Sequence, residues 1–176
     1  FDAFFEDVRT TPAQAYAFAQ GAPVLVPPLG PDGEPALEVR IDRPLDFAAV
    51  TDHAEFLGEI LGCSDPESDV WAGDFCVDAR ADGTSAVEHF GSVNSLEEPA
   101  RFEELCGPGG FDCLAAAGDA WSRMREAAAD AYDRTEACSF TSFVGYEWTG
   151  TTGVSNLHRN VIFASDAVPA LPTSYV

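Results

Sequence analysis

The run Asp46-Phe-Ala-Ala-Val-Thr51 is short, apolar and uninterrupted, the pattern of a strand buried on both faces rather than one turned half to water. It stops abruptly at Asp52-His53, and Glu55 comes two residues later. Two further strand candidates, residues 139–148 and 156–164, come only after a long interval and are separated from each other by a Thr/Gly turn. Within that interval Trp121, Met124, Ala128, Ala131 and Tyr132 recur at helical spacing, so the longest helix is expected over 114–137 with one apolar face. Strands set apart by long helical stretches favour an α/β sheet or barrel over a sandwich.

The rest of the chain alternates in the same way. Thr11-Pro12-Ala13-Gln14 reads as a capping box with proline at the first helical position, and Gly21 supplies a stop, which predicts a short helix over 12–20. Residues 22–45 carry eight prolines and glycines and read as a loop or loose hairpin, with a strand at Leu37-Glu-Val-Arg-Ile41. A helix is expected over 53–61. Between 62 and 110 turns break the pattern, leaving helical pieces near 67–80 and 98–105. The expectation is thus a single domain over 1–176 with loop-rich insertions at 22–45 and 62–110. At 176 residues and 46% hydrophobic content, the chain is long enough to bury a sizeable core.

Charge narrows the partners. With 9 basic against 30 acidic residues and a net charge of −21, a phosphate backbone is repelled, so nucleic acid is not an expected partner. Acidity of this kind also suits solubility in salty or extracellular surroundings. No apolar run approaches the roughly 20 residues that cross a bilayer, so no transmembrane segment is expected. Five cysteines are many for a reducing compartment and none forms a CxxC pair, which favours disulfides over a set of small buried hydrophobes. Cys106 and Cys113, bracketing Gly107-Pro-Gly-Gly-Phe-Asp112, are the first-choice pair. An odd count leaves one thiol free or paired outside this chain.

Reactive groups in α/β folds gather where strands end, because the carboxyl ends of strands open onto the loops. Asp52 and His53 close the first strand candidate, Glu147 closes the second, and His158 opens or lies inside the third; His89 falls in the turn-rich middle. One such histidine or glutamate is ordinarily a hydrogen-bonded structural residue, but on successive strands they become candidate metal ligands. Imidazole nitrogen mixed with carboxylate oxygen suits zinc, manganese or iron. Glu55 either reaches this site, supports it, or faces solvent, the last two being favoured. Tyr146 and Trp148 flank Glu147 with the opposite facing and are expected to pack against helices. No GxSxG elbow, P-loop or dinucleotide fingerprint is present, and Gly107-Pro-Gly-Gly110 is a turn with no Lys-Ser/Thr after it.

The strings RPLDFAAVTDHAEFLG, TSFVGYEWTG and NLHRNVIF, together with FDAFFEDVRTTPAQAYAFAQG at the start, resemble domain-of-unknown-function family 3604. That family is in turn similar to the polymerase and histidinol phosphatase (PHP) superfamily of metal-dependent phosphoesterases. The resemblance implies a distorted seven-stranded β/α barrel, (β/α)7, with two or three metals at its mouth. By it, Thr51-Asp52-His53 supplies His53 as a ligand with Asp52 as its neighbour or supporting partner. Gly145-Tyr146-Glu147 supplies a carboxylate that bridges two metals, and the next ligand histidine is His158. The superfamily's His-x-His pair is lacking. The opening Phe1-Asp2 resembles the residues immediately after that pair, which makes Asp2 the acidic ligand, puts the histidines upstream of Phe1, and puts later histidine motifs beyond Val176. The chain is accordingly expected to be an N-terminal portion of a larger barrel.

The activity so implied is hydrolysis of a small anionic ester, a phosphate ester or related oxyanion ester, by a metal-activated water. Asp52 would orient a ligand histidine. Asn160 and Arg159 are candidates for holding the substrate oxyanion: Asn160 shares a strand face with His158, whereas Arg159 has the better chemistry, a planar fork of donors. The alternative is a catalytically silent barrel retained for binding or structure. Cysteine count, acidity and the resemblance place the protein in the periplasm or outside the cell; the oligomeric state is left open.

Overall fold

The computed structural model describes residues 9–32, 34–81 and 83–176. Asp2 lies outside them. In chain order the elements are α1 (Pro12–Ala19), β1 (Val24–Leu29), β2 (Pro35–Val39), β3 (Phe47–Val50), α2 (Leu57–Ser64), α3 (Asp74–Ala81), α4 (Gly83–Asn94), α5 (Glu103–Cys106), α6 (Cys113–Ala131), β4 (Thr141–Gly150) and β5 (Leu157–Ile162), with a 3₁₀ turn at Thr152–Val154. The arrangement is mixed α/β, with a two-stranded sheet β1-β2 and a three-stranded sheet β3-β4-β5. β3 runs parallel to β4, and β5 antiparallel to it.

Local chemistry accounts for most boundaries. The Thr11 N–H donates to Gln14 Oε1 at 2.8 Å while the Gln14 N–H donates to Thr11 Oγ1 at 3.3 Å, so the capping box forms as expected and Pro12 occupies the first turn. Residues 22–45 form a true antiparallel hairpin whose register slips between Val26 and Leu29, where Pro27 and Pro28 have no N–H to give the ladder. Its second strand ends at Val39, two residues short of the expected Ile41. Residues 62–110 are richer in helix than expected, since α3, α4 and α5 all fall there. The long helix stops at Ala131 rather than 137: Tyr132 leaves helical geometry, and the Asp133 carboxylate instead collects the N–H and hydroxyl groups of Thr135 and Ser139 at 2.6–2.9 Å. Those four bonds hold the Asp133 carboxyl far below the usual carboxylate range.

The expected helix over 53–61 is displaced. Residues 53 and 54 instead extend the β3–β4 ladder, Phe56 adopts a left-handed backbone (φ 60°), and α2 begins only at Leu57. The Ala54 N–H donates to the Glu147 carbonyl at 2.7 Å and the Glu147 N–H to the Asp52 carbonyl at 2.9 Å. β-ladder bonding therefore outlasts the apolar run that announced it.

Period-2 alternation divides the three-stranded sheet into two faces. One carries Ala48, Val50, Val144, Tyr146 and Val161 and packs on the helices: Trp121 of α6 meets Tyr146 edge-on at 5.9 Å between ring centroids. Trp121 and Tyr16 are each 1% exposed, and burying a side chain of this kind contributes on the order of 1.5–3 kcal/mol. The opposite face carries Phe47, Phe143, Gly145, Glu147, His158, Asn160 and Ile162, and its lower part is open, with Phe47 65% and Ile162 55% exposed. Beyond the sheet, Phe56, Phe90 and Phe102 form an aromatic cluster with Cys63, Cys76 and Cys113. Cys106–Cys113 is disulfide-bonded as expected, Cys63–Cys76 forms a second bridge, and Cys138 is an exposed free thiol.

Candidate metal centre

Three strands each deliver one donor to the open face. The register that pairs Phe47 with Thr141 carries through to a bridge between His53 and Glu147, placing an imidazole and a carboxylate on neighbouring strands. On the other side of β4, His158 stands opposite Thr149 and Asn160 opposite Glu147. His53 Nε2 lies 3.6 Å and His158 Nδ1 2.5 Å from Glu147 Oε1, and the two imidazole rings meet edge-on at 5.7 Å. Ligand atoms of His53, Glu147 and His158 all fall within 4.8 Å of one another. Glu147 is not where β4 ends, as expected, but three residues inside it; it is where β3 runs out beside it.

The donor chemistry fits a divalent transition ion, since two neutral imidazoles and a carboxylate are the ligand types that zinc, manganese and iron accept. His158 is held from behind. His158 Nδ1 is also 3.0 Å from Thr149 Oγ1, and its Nε2 is 2.6 Å from Asn156 Oδ1, so one of these contacts must be released for the ring to ligate. Neither Thr149 nor Asn156 stood out in the sequence, although Thr149 shares the Glu147 face by simple alternation.

Of the two readings favoured for Glu55, solvent exposure fails and support of the site remains. The residue is 1% exposed, accepting the N–H of Thr149 at 3.1 Å through one oxygen and that of Tyr175 at 3.0 Å through the other. Burial pushes its carboxyl above the usual range, and the bonds from Tyr175 and Thr149 pull it back in part. Glu55 thus ties the end of β4, beside His158, to the C-terminal segment.

The remaining candidates divide by face. Asp52 alternates with His53 and lies on the helix side, near Tyr16 and along a cavity of about 550 Å³ between α1, α2 and α6; its Oδ2 is buried with no hydrogen-bond partner among the described residues. Its backbone carbonyl, not its carboxylate, is what touches Glu147. Arg159 stands opposite Trp148 on that same helix side, whereas Asn160 shares the open face with His53, Glu147 and His158. Asp2 is outside the described residues.

A family model described as a protein of unknown function (DUF3604) matches residues 1–176. The chain belongs to that family. No curated protein and no solved structure matches it. The match runs through all three strands that build the centre, so His53, Glu147 and His158 are part of the DUF3604 domain itself. No helix among the described residues is long and apolar enough to cross a membrane.

Proposed function

We propose that this DUF3604 chain carries part of the metal centre of a hydrolase acting on phosphate esters or related oxyanion esters, within a distorted (β/α)7 barrel of PHP type. The observation that carries the reading is the convergence of His53, Glu147 and His158 from three adjacent strands onto one open face. The exposure of Phe47 and Ile162 on that face supports its being the inner wall of a larger barrel.

His53, Glu147 and His158 would hold zinc, manganese or iron, and by the resemblance to the PHP superfamily Asp2 would be a further ligand and Glu147 a shared one. Such ions, when bound, lower the pKa of a coordinated water toward neutrality and offset the charge developing on an ester oxyanion. Thr149 and Asn156 hold the His158 ring, one of the two contacts giving way on ligation, and Glu55 holds the Thr149 N–H, so the ring would be oriented before substrate arrives. Asn160, beside Glu147, would donate its amide N–H to a substrate oxygen. Asp52 acts from behind the sheet, its carbonyl holding the Glu147 N–H in register. Two disulfides support a periplasmic or extracellular setting.

A second reading, a silent scaffold, has one observation of its own: both ring nitrogens of His158 already have protein partners. Hydrolysis of aryl phosphate mono- and diesters after reconstitution with Zn, Mn or Fe separates the two. Turnover that depends on the added metal and is lost in Glu147→Gln supports the hydrolase; no turnover of phosphate, sulfate or carboxylate esters with any of the metals leaves the scaffold.

A further inference from the structure

A second cluster of ligand-type groups lies away from that centre. Glu59, on α2, is 0% exposed, and Arg101 Nη1 donates to both of its carboxylate oxygens at 2.8 and 2.7 Å. Against the same carboxylate lies the Cys106–Cys113 disulfide: Cys106 Sγ is 3.4 Å from Glu59 Oε1, and ligand atoms of Glu59, Cys106 and Cys113 fall within 4.8 Å of one another. Cys113 is 2% exposed.

Contacts besides the sulfur–sulfur bond also hold the cluster together. Gly58 packs so tightly on α6 that a Cβ there would stand 1.8 Å from the Cys113 carbonyl oxygen, which fixes α2, and hence Glu59, against Cys113. The loop between the two cysteines is held by its own backbone bonds, Phe111 N–H to Leu105 carbonyl at 2.9 Å and Gly110 N–H to Gly107 carbonyl at 2.8 Å. Phe111 wedges against Gly62. After reduction the two sulfurs would therefore remain neighbours.

We propose that Glu59, Cys106 and Cys113 form a redox-gated site for a zinc-class divalent ion, closed while the disulfide stands and open once it is reduced. A dithiol reductant transfers two electrons and two protons to the Cys106–Cys113 bond, giving two thiols and the oxidised reductant. The ion then displaces one proton from each thiol. Charge favours this outcome: Glu59 and Arg101 already neutralise each other, two thiolates add two negative charges, and a divalent ion cancels them in a site where an uncompensated charge is costly. Two thiolates with a carboxylate is a zinc-type donor set, and Arg101 engages only part of the carboxylate's acceptor capacity.

The test uses the whole chain, reduced with a dithiol that is then removed anaerobically, beside the untreated protein. Both are titrated with Co(II), whose thiolate charge-transfer absorption reports sulfur ligation, and with Zn(II). A His53→Ala/His158→Ala background removes the other centre, so failure there does not disturb this readout. The expected result is one additional equivalent of metal and a thiolate band only after reduction, kept in Cys63→Ser/Cys76→Ser and lost in Cys106→Ser/Cys113→Ser. Alkylation mapping by mass spectrometry gives the answer without those variants: zinc should slow modification of Cys106 and Cys113 and leave Cys63, Cys76 and Cys138 unaffected. No thiolate band in the reduced protein, a band that tracks Cys63 and Cys76 instead, or equal alkylation with and without zinc overturns the proposal.

Discussion

His53 and Glu147 face each other across a parallel ladder whose register is unbroken from Phe47 and Thr141 at its other end. That relationship makes the pair a consequence of strand pairing rather than of a loop conformation. The Cβ atoms of such cross-strand neighbours are held about 5 Å apart, which lets the two side chains reach one point in front of the sheet and share an ion. His158 is delivered by the same logic from the antiparallel side.

The point where β3 and β4 begin to serve the centre is fastened by Tyr16. Its hydroxyl accepts the Val50 N–H at 3.1 Å and donates to the Phe143 carbonyl at 2.8 Å, and the residue is 1% exposed. Tyr16→Phe leaves those backbone groups without that partner, and equilibrium unfolding in urea should show a loss of about 1–3 kcal/mol. An unchanged midpoint would mean that the two strands satisfy each other directly.

Gly58→Ala should be worse, although alanine ordinarily favours a helix by roughly 1 kcal/mol over glycine. The new Cβ would sit 1.8 Å from Cys113 O and 2.7 Å from Cys113 C, atoms of a backbone that cannot rotate away. We expect a net loss of about 3 kcal/mol or more by denaturant titration, at the upper end of overpacking costs. A neutral result would show that α2 slides on α6.

Strand alternation decides between the two neighbours of His158 that could bind an oxyanion. Asn160 lies on the ligand face and Arg159 on the other. With an aryl phosphate substrate, Asn160→Ala should lower kcat/KM by ~10- to 100-fold, the loss of a hydrogen bond to a charged group, while Arg159→Ala should stay close to wild type. The reverse order would place the substrate on the helix side of β5.

Glu59 gives a pH signature. Burial raises its carboxyl pKa, and the Arg101 charge offsets that only in part. Folded Glu59 therefore holds its proton more tightly than in the unfolded chain. Its contribution to stability is complete below the ordinary glutamate value of about 4.3 and is lost as pH rises through the higher folded value. Measured as wild-type stability minus that of Glu59→Gln, the difference should fall across that window and then level off. A difference that grows with pH would mean the ion pair with Arg101 outweighs burial.

Much of the site is legible in residue order. The apolar run ending in Asp52-His53, the Gly-Tyr-Glu string and the third strand's histidine mark themselves by strand periodicity, and the capping box at Thr11 is purely local. The features hidden from the sequence depend on tertiary pairing. A ladder bond from Ala54 to Glu147 turns residues 53 and 54 into strand and delays α2, which no window around them announces. Glu55 leaves support and solvent exposure both open in the sequence and Glu59 goes unmarked there, yet partners distant in sequence, Thr149, Tyr175 and Arg101, allow both to be buried. Helix α4 goes unannounced because turn-forming residues interrupt the segment around it.

The most direct measurement is the metal content of the purified full-length protein by elemental mass spectrometry, wild type beside His53→Ala and Glu147→Gln. A bound transition metal in wild type that falls in both variants, most in Glu147→Gln, is the predicted result. Wild-type protein that holds no Zn, Mn or Fe even after reconstitution would contradict the metal centre and leave His158 hydrogen-bonded to Glu147 beside His53, with no catalytic ion to hold.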